Sequence, residues 1–281
     1  MSKYKILNFI PKKHLGQNFL VDKTALEKII AAAALNENDF VVEVGAGLGV
    51  LTVALAEKVK QVRAIEYDKR LIPILKKTFQ NHQNIELVEA DALRVKLPFH
   101  SYKLVANIPY YITSPLINHF LQPKTAEEKC PALIVLLVQK EVAEKICAKD
   151  GQHSILSLQT QIFGKPSIVG RVHKSSFNPK PKVDSAILKI EVYNKPLIQN
   201  TEAFFKLIGA AFSQKRKTLL NSLKNGLKLD KELNKETVAA FLKKAGISPT
   251  RRPQTLTMGE WNALCESSQI KSLKIMLSLA N

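Results

Sequence analysis

Apolar and polar positions along this 281-residue chain follow two regimes. Up to about residue 197, short apolar runs alternate with stretches of helical period; beyond it only the helical period persists. Residues 40–44 form an apolar run cut off by glycines, as in a strand buried on both faces. Residues 62–66, 85–89, 103–107 and 132–138 read as further strands. Between them, 50–58, 69–79, 114–121 and 141–148 read as helices. An earlier helix runs from a cap at Asp22 or Thr24 to Ala34. A helix over 154–163 leads to two strands, 167–173 and 184–193, joined by the proline-rich Phe177-Asn178-Pro179-Lys180-Pro181-Lys182. This alternation predicts an α/β fold with a doubly wound, mostly parallel sheet. Lys195-Pro196 marks a break in composition. Past it, 201–212, 215–223, 235–244 and 259–279 read as helices. The expected domains are 1–197, with a basic N-terminal segment 1–20, and a small all-helical domain, 198–281.

Charge adds a partner to this picture. The net charge is +18, and it is uneven. Residues 1–150 carry 21 basic and 16 acidic side chains, a net of +5, whereas residues 151–281 carry 21 and 8, a net of +13. Such a surplus favours a polyanion, most simply nucleic acid, with the binding surface weighted toward the C-terminal half. Cys130, Cys147 and Cys265 are isolated, which argues against a disulfide framework and for a reducing compartment. No signal peptide is expected from Met1-Ser2-Lys3-Tyr4-Lys5, and residues 132–138 are too few to span a membrane. No His/Cys cluster has metal-ligand spacing. The expectation is a cytoplasmic monomer with no membrane partner and no metal.

Candidate chemistry gathers at the strand ends. Gly45, Gly47 and Gly49 follow one strand and open a helix, which lets the backbone approach a ligand. The spacing is G-x-G-x-G rather than the dinucleotide G-x-G-x-x-G, and a tight strand-to-helix turn alone would use the same residues. Glu66 ends the next strand about 20 residues on, where a carboxylate accepts from both ribose hydroxyls. Asp91, past the third strand, can accept from an adenine amino group. No phosphate-cradling G-x-x-x-x-G-K-[ST] sequence is present. S-adenosylmethionine is the cofactor that best fits these groups.

Asn107-Ile108-Pro109-Tyr110 ends the fourth strand. The Asn107 side-chain oxygen and the Ile108 carbonyl supply two acceptors for the two hydrogens of an exocyclic amine. Pro109 fixes the turn, and Tyr110 offers a stacking face for a base taken out of its helix. Phe177 is the candidate for the opposite face, with Lys180 and Lys182 placed for phosphates; a core aromatic before a strand is the plainer alternative. Lys215, Arg216, Lys217, Arg251 and Arg252 are candidate RNA-backbone contacts, or simply a solvated face.

With these residues in place the chain resembles the bacterial small-subunit rRNA adenine dimethyltransferases, the kasugamycin-susceptibility family, over nearly its whole length. The resemblance rests on Leu15-Gly16-Gln17-Asn18-Phe19-Leu20, Glu43 to Thr52, Ala64-Ile65-Glu66-Tyr67-Asp68, Glu89-Ala90-Asp91-Ala92-Leu93, Asn107 to Thr113, Gln139 to Glu144, Phe177 to Ala186, and Phe212 to Leu219. It implies a Rossmann-like, S-adenosylmethionine-dependent methyltransferase sheet with a small helical C-terminal domain. It also implies N6,N6-dimethylation of two adjacent adenosines in the hairpin near the 3′ end of 16S rRNA, in an immature small ribosomal subunit. By the family pattern Asn18, Leu20, Gly45, Glu66, Asp91 and Asn107 contact the cofactor, and Phe177 stacks on the base. Gly151-Gln152-His153-Ser154-Ile155 departs from the usual family turn.

Three other readings remain. A 23S rRNA dimethyltransferase of the macrolide-resistance type shares the loop and the Asn-Ile-Pro-Tyr motif, but residues 212–223 and Arg252-Pro253-Gln254-Thr255-Leu256-Thr257 resemble the small-subunit family. DNA adenine methyltransferases typically carry Asp where Asn107 stands. A mainly non-catalytic assembly factor on the same fold would not need the intact acceptor and cofactor residues.

Overall fold

A computed structural model describes residues 9–12, 15–96, 100–122, 128–214, 216–227 and 235–267. The chain separates into two compact units. One comprises Met1–Glu144 with Gly164–Tyr193, the other Lys145–Phe163 with Asn194–Asn281.

The first unit is built on a seven-stranded sheet. Its strands are β2 (Phe40–Val44), β3 (Gln61–Glu66), β4 (Ile85–Glu89), β5 (Lys103–Asn107), β6 (Leu133–Gln139), β7 (Gly164–Val172) and β9 (Ser185–Val192), in the order β4-β3-β2-β5-β6-β9-β7. The pairs among β4, β3, β2, β5 and β6 are parallel. β9 runs antiparallel to β6, and β7 antiparallel to β9. This is the expected α/β, Rossmann-like sheet. Leu133 to Val138 are all buried, which is why β6 reads as an unbroken apolar run. β9 is buried through its first four residues and alternates only afterwards, because only its far end leaves the cover of both faces. A second, two-stranded antiparallel sheet pairs β1 (Phe19–Leu20) with β8 (Phe177–Asn178), bringing Leu20 opposite Phe177. Two-residue strands carry no period, so no sequence pattern announced them.

The helices of this unit are α1 (Lys23–Ala32), α2 (Val50–Ala56), α3 (Ile72–Phe79), α4 (Thr113–Leu121) and α5 (Lys140–Ile146), the last crossing into the other unit. Asp22, not Thr24, caps α1; its Oδ1 accepts from the Thr24 and Ala25 N–H groups at 2.9 and 3.2 Å. The Ser176 hydroxyl donates to Oδ2 at 2.7 Å and is the main cause holding the Asp22 carboxyl below its usual range. α3 starts later than its apolar period suggests because Pro73 belongs in a first turn. Gly49 caps α2 at φ +82°, and a Cβ there would lie 2.8 Å from the Phe79 ring. Gly49→Ala should therefore destabilise the protein by about 3 kcal/mol through left-handed strain plus overpacking. Denaturant unfolding checks this, and an unchanged midpoint would overturn both the strain and the overpacking.

Among the described residues the second unit holds only helices: α6 (Ile155–Gln161), α7 (Thr201–Phe212), α8 (Leu219–Gly226), α9 (Lys235–Lys244) and α10 (Met258–Ser267). Trp261 is fully buried, with Phe212 stacked on it and Phe204 edge-on, each ring centre 6.3 Å away. Residues 145–163 join this unit through the Leu197 N–H on the Ile162 carbonyl (2.8 Å) and the His153 N–H on the Gln254 carbonyl (3.1 Å). The unusual Gly151–Ile155 turn serves α6. Ser154 caps it in a reciprocal capping box with Ser157, and Gly151 takes a positive φ. α8 begins at Leu219 rather than residue 215, where the Leu219 N–H meets the Arg251 carbonyl at 2.7 Å.

Candidate active site

Strand order reverses about β2, which has β3 on one side and β5 on the other. At such a switch point the loops leaving the two strands diverge and open a crevice at their carboxyl ends. A cleft of about 320 Å³ lies there, lined by Leu15 to Leu20, the glycine loop, Glu66 to Asp68, Ala90 to Leu93, and Asn107 to Pro109. That volume is within the range of about 300–1,000 Å³ usual for small-molecule sites. Gly45 donates its N–H to the Ile65 carbonyl at 2.8 Å. Gly45 takes φ +76°, which favours glycine, and a Cβ there would stand in contact, 3.7 Å, with the Asn107 carbonyl oxygen.

Glu66 organises one wall. Its Oε2 accepts the Gly47 N–H at 2.9 Å and its Oε1 the Asp68 N–H at 2.8 Å. Burial pushes its carboxyl above the usual range, against these bonds, which favour the ionised form. Asp68 in turn accepts from the Arg70 guanidinium (2.6 Å) and the Gln17 amide (2.8 Å). The arginine chiefly, with the glutamine, holds the Asp68 carboxyl at about 2. Arg70 also caps the Phe9 ring, which packs edge-on against Phe19. The segment bearing Asn18 and Leu20 is thereby fastened to the end of β3. Glu43, 1% exposed, has an oxygen with no partner among the described residues, and burial lifts its carboxyl to about 8. Asp91 steadies its own turn by accepting the Leu93 N–H at 3.0 Å and lies 3.5 Å from Arg94.

The opposite wall carries the turn at residues 107–110. Asn107 ends β5, and its Nδ2 donates to the Asn18 carbonyl at 3.2 Å. An amide held by its nitrogen presents its oxygen elsewhere, and no donor meets Oδ1 among the described residues. Ile108 is buried beside it, and Pro109 lines the cleft. Tyr110 opens a short 3-10 turn, Tyr110–Ile112, closed by the Thr113 hydroxyl on the Tyr110 carbonyl at 2.9 Å. The Tyr110 phenol lies 2.7 Å from the Ser185 hydroxyl. Tyr110 lies outside the cleft lining, whereas its neighbour Tyr111, 62% exposed, lines it.

Phe177 is 4% exposed and belongs to the core cluster with Leu20, Val172 and Ile187. Lys180 and Lys182 follow it and are exposed. In the helical unit Arg216, Lys217 and Arg252 are exposed, while the Arg251 fork is occupied by Glu260 and by Thr255. Lys215 lies outside the described residues.

A family model for ribosomal RNA adenine dimethylase matches the chain from residue 8 to residue 267. The protein belongs to the ribosomal RNA adenine dimethylase family. Membership makes it a methyltransferase for rRNA adenine. The ribosomal RNA small subunit methyltransferase A of Dehalococcoides mccartyi (strain ATCC BAA-2266 / KCTC 15142 / 195) is 44% identical over 264 residues, covering 90% of this chain and 87% of that protein. The protein of the same name from Alkaliphilus metalliredigens is 40% identical over 277 residues, covering 94% and 93%. Among solved structures, a dimethyladenosine transferase from Plasmodium falciparum matches with a TM-score of 0.78 and 31% identity, covering 90% of this chain and 98% of that one. The 23S rRNA methyltransferase ErmE matches with a TM-score of 0.70 and 28% identity, covering 89% and 99%.

The dimethylase cleft brings together every cofactor residue expected from the sequence. Leu20 and Asn18 come from the N-terminal segment, Gly45 and Gly47 from the loop, Glu66 and Asp91 from strand ends, and Asn107 from β5. Sequence reasoning assigned no role to Gln17, Asp68 or Tyr111. Gln17 and Asp68 lay inside motifs already singled out, but their pairing across 51 residues has no local signature. Tyr111 was hidden behind the better-marked Tyr110.

Proposed function

We propose that this enzyme uses S-adenosylmethionine to dimethylate N6 of two adjacent adenosines in the hairpin near the 3′ end of 16S rRNA, acting on immature small ribosomal subunits. The observation that carries the reading is the Asn107 amide, anchored through nitrogen to the Asn18 carbonyl so that its oxygen is left as an acceptor at the cleft. Support for the small subunit comes from the two relatives named for it, at 44% and 40% identity.

The N6 lone pair of adenine is delocalised into the ring. Acceptors on both N–H groups, Asn107 Oδ1 and the Ile108 carbonyl, favour a tetrahedral nitrogen with its lone pair free. Bound S-adenosylmethionine supplies an electrophilic methyl group. Glu66 suits its ribose hydroxyls and Asp91 its adenine amino group. Asn18, Leu20, Gly45 and Gly47 complete the contact. S-adenosylhomocysteine would be the leaving group, and the nitrogen would lose its proton to water once it carries the methyl. Tyr110 stacks on the extruded base. Phe177 is proposed for the other face, and because it is now packed in the core with Leu20, Tyr110 bears the first contact. Lys180 and Lys182, with Arg216, Lys217 and Arg252 of the helical unit, are proposed phosphate contacts.

Labelled methyl transfer to unmethylated small subunits tests the reading, with large subunits and naked 23S rRNA in parallel. Dimethyladenosine at adjacent positions near the 16S 3′ end is expected. Label confined to 23S rRNA would overturn the substrate assignment, and no label in any RNA would overturn the catalytic one.

A further inference from the structure

Among the described residues the Tyr110 side chain has one polar anchor. Its phenol oxygen lies 2.7 Å from the Ser185 hydroxyl, and the backbone bond to Thr113 restrains the turn but not the ring. Ser185 is fully buried at the start of β9, in register with Gln139 of β6 on one side and Val172 of β7 on the other. The residue before it is pinned as well. Asp184 accepts the Lys174 N–H on its side chain and the Lys140 N–H on its carbonyl, each at 3.0 Å. The hydroxyl that meets Tyr110 is thus mounted on backbone paired on both sides. Ser185 also closes the segment that begins at Phe177, so this one bond ties together the two stretches assigned to opposite faces of the target base. The aryl torsion of tyrosine is broad when nothing holds it. The phenol oxygen lies on the axis of that torsion, so its hydrogen bond fixes where the ring axis points rather than the rotation about it.

We infer that Ser185 is a positioning residue for methyl transfer, fixing the direction of the Tyr110 ring axis and so the place of the ring against which the target adenine stacks. The inference rests on the stacking role proposed for Tyr110. Misalignment of a reacting amine lowers the rate of the chemical step more than it weakens binding of a large RNA held mainly by its phosphates.

The test is a cycle of Ser185→Ala, Tyr110→Phe and the double variant, with Tyr110→Ala beside them. Turnover and RNA KM are measured on the RNA that the wild type modifies, and cofactor affinity is measured separately. Removing the bond from either end should lower kcat about tenfold, the equivalent of one hydrogen bond. The double variant should lose about the same tenfold rather than a hundredfold, since both changes delete one interaction. RNA KM and cofactor Kd should stay within about twofold, and Tyr110→Ala should fall well below both single variants. Tyr110→Phe leaves β9 packing intact, so a Ser185→Ala protein that fails to fold does not rescue the idea. Full kcat for Tyr110→Phe, or losses that multiply in the double variant, would overturn the positioning role while an inactive Tyr110→Ala upheld the stacking. A fully active Tyr110→Ala would sink both.

Discussion

Asn107→Ala is expected to lower methyl transfer by about 1,000-fold while cofactor binding is only partly lost. Deleting one preorganised polar group at a reacting centre costs on the order of 100- to 1,000-fold, and here the substitution removes two interactions. The amine loses the Oδ1 acceptor, and the Asn18 carbonyl loses the Nδ2 donor that sits 3.2 Å away. The second loss loosens the N-terminal wall of the cleft, yet that segment is also held by Gln17 on Asp68, and Glu66 and Asp91 are untouched. Binding therefore falls less than rate. Asn107→Asp sharpens the case. A carboxylate preserves an acceptor for the amine but sets a second oxygen against the Asn18 carbonyl, so its activity should lie between alanine and wild type. Single-turnover transfer and calorimetric cofactor binding separate the two effects. Wild-type transfer by Asn107→Ala would sink the mechanism.

Much of this site was legible because its residues stand where apolar runs stop. Parallel strands covered on both faces leave no polar positions inside, so the first polar or glycine residues after the run mark the carboxyl edge of the sheet. Gly45, Glu66 and Asn107 declare themselves this way, whereas Asp91 follows β4, which is only partly buried and ends on Glu89. Glu43 is the instructive exception, a carboxylate within such a run. The sequence places it inside the sheet, but only the structure reveals an oxygen without a partner among the described residues and a carboxyl lifted to about 8. What stayed hidden depends on distant register. β1 and β8 are too short to have a period, and they exist because Phe19 and Leu20 meet Asn178 and Phe177. The same pairing buries Phe177, which a local reading offers equally as a core residue or a base-stacking one. Likewise α6 sits in sequence between a helix and a strand of the sheet unit, and only its backbone bonds to Leu197 and Gln254 assign its segment to the helical unit.

Glu66→Ala should weaken cofactor binding by about 100-fold, with little change in the transfer rate once the cofactor is saturating. Charge-assisted hydrogen bonds are each worth about 1.5–3 kcal/mol, and the proposed ribose contact is of that kind. The carboxylate also builds the wall it belongs to, because its two oxygens hold the Gly47 and Asp68 N–H groups. Loss of those bonds frees the glycine loop on one side and the Asp68 hub on the other. The hub in turn fastens Gln17 and, through Arg70, Phe9. Glu66→Gln is then no conservative change. An amide can accept from one of the two backbone N–H groups but must present its own NH2 to the other, so one buried donor loses its partner. Glutamine should bind the cofactor scarcely better than alanine. Equilibrium binding of S-adenosylmethionine and of S-adenosylhomocysteine to both variants checks this. Near-normal affinity in Glu66→Gln would mean that the carboxylate is a ligand contact alone. A slowed rate at saturating cofactor with unchanged affinity in Glu66→Ala would remove Glu66 from the binding site and move it to the chemistry.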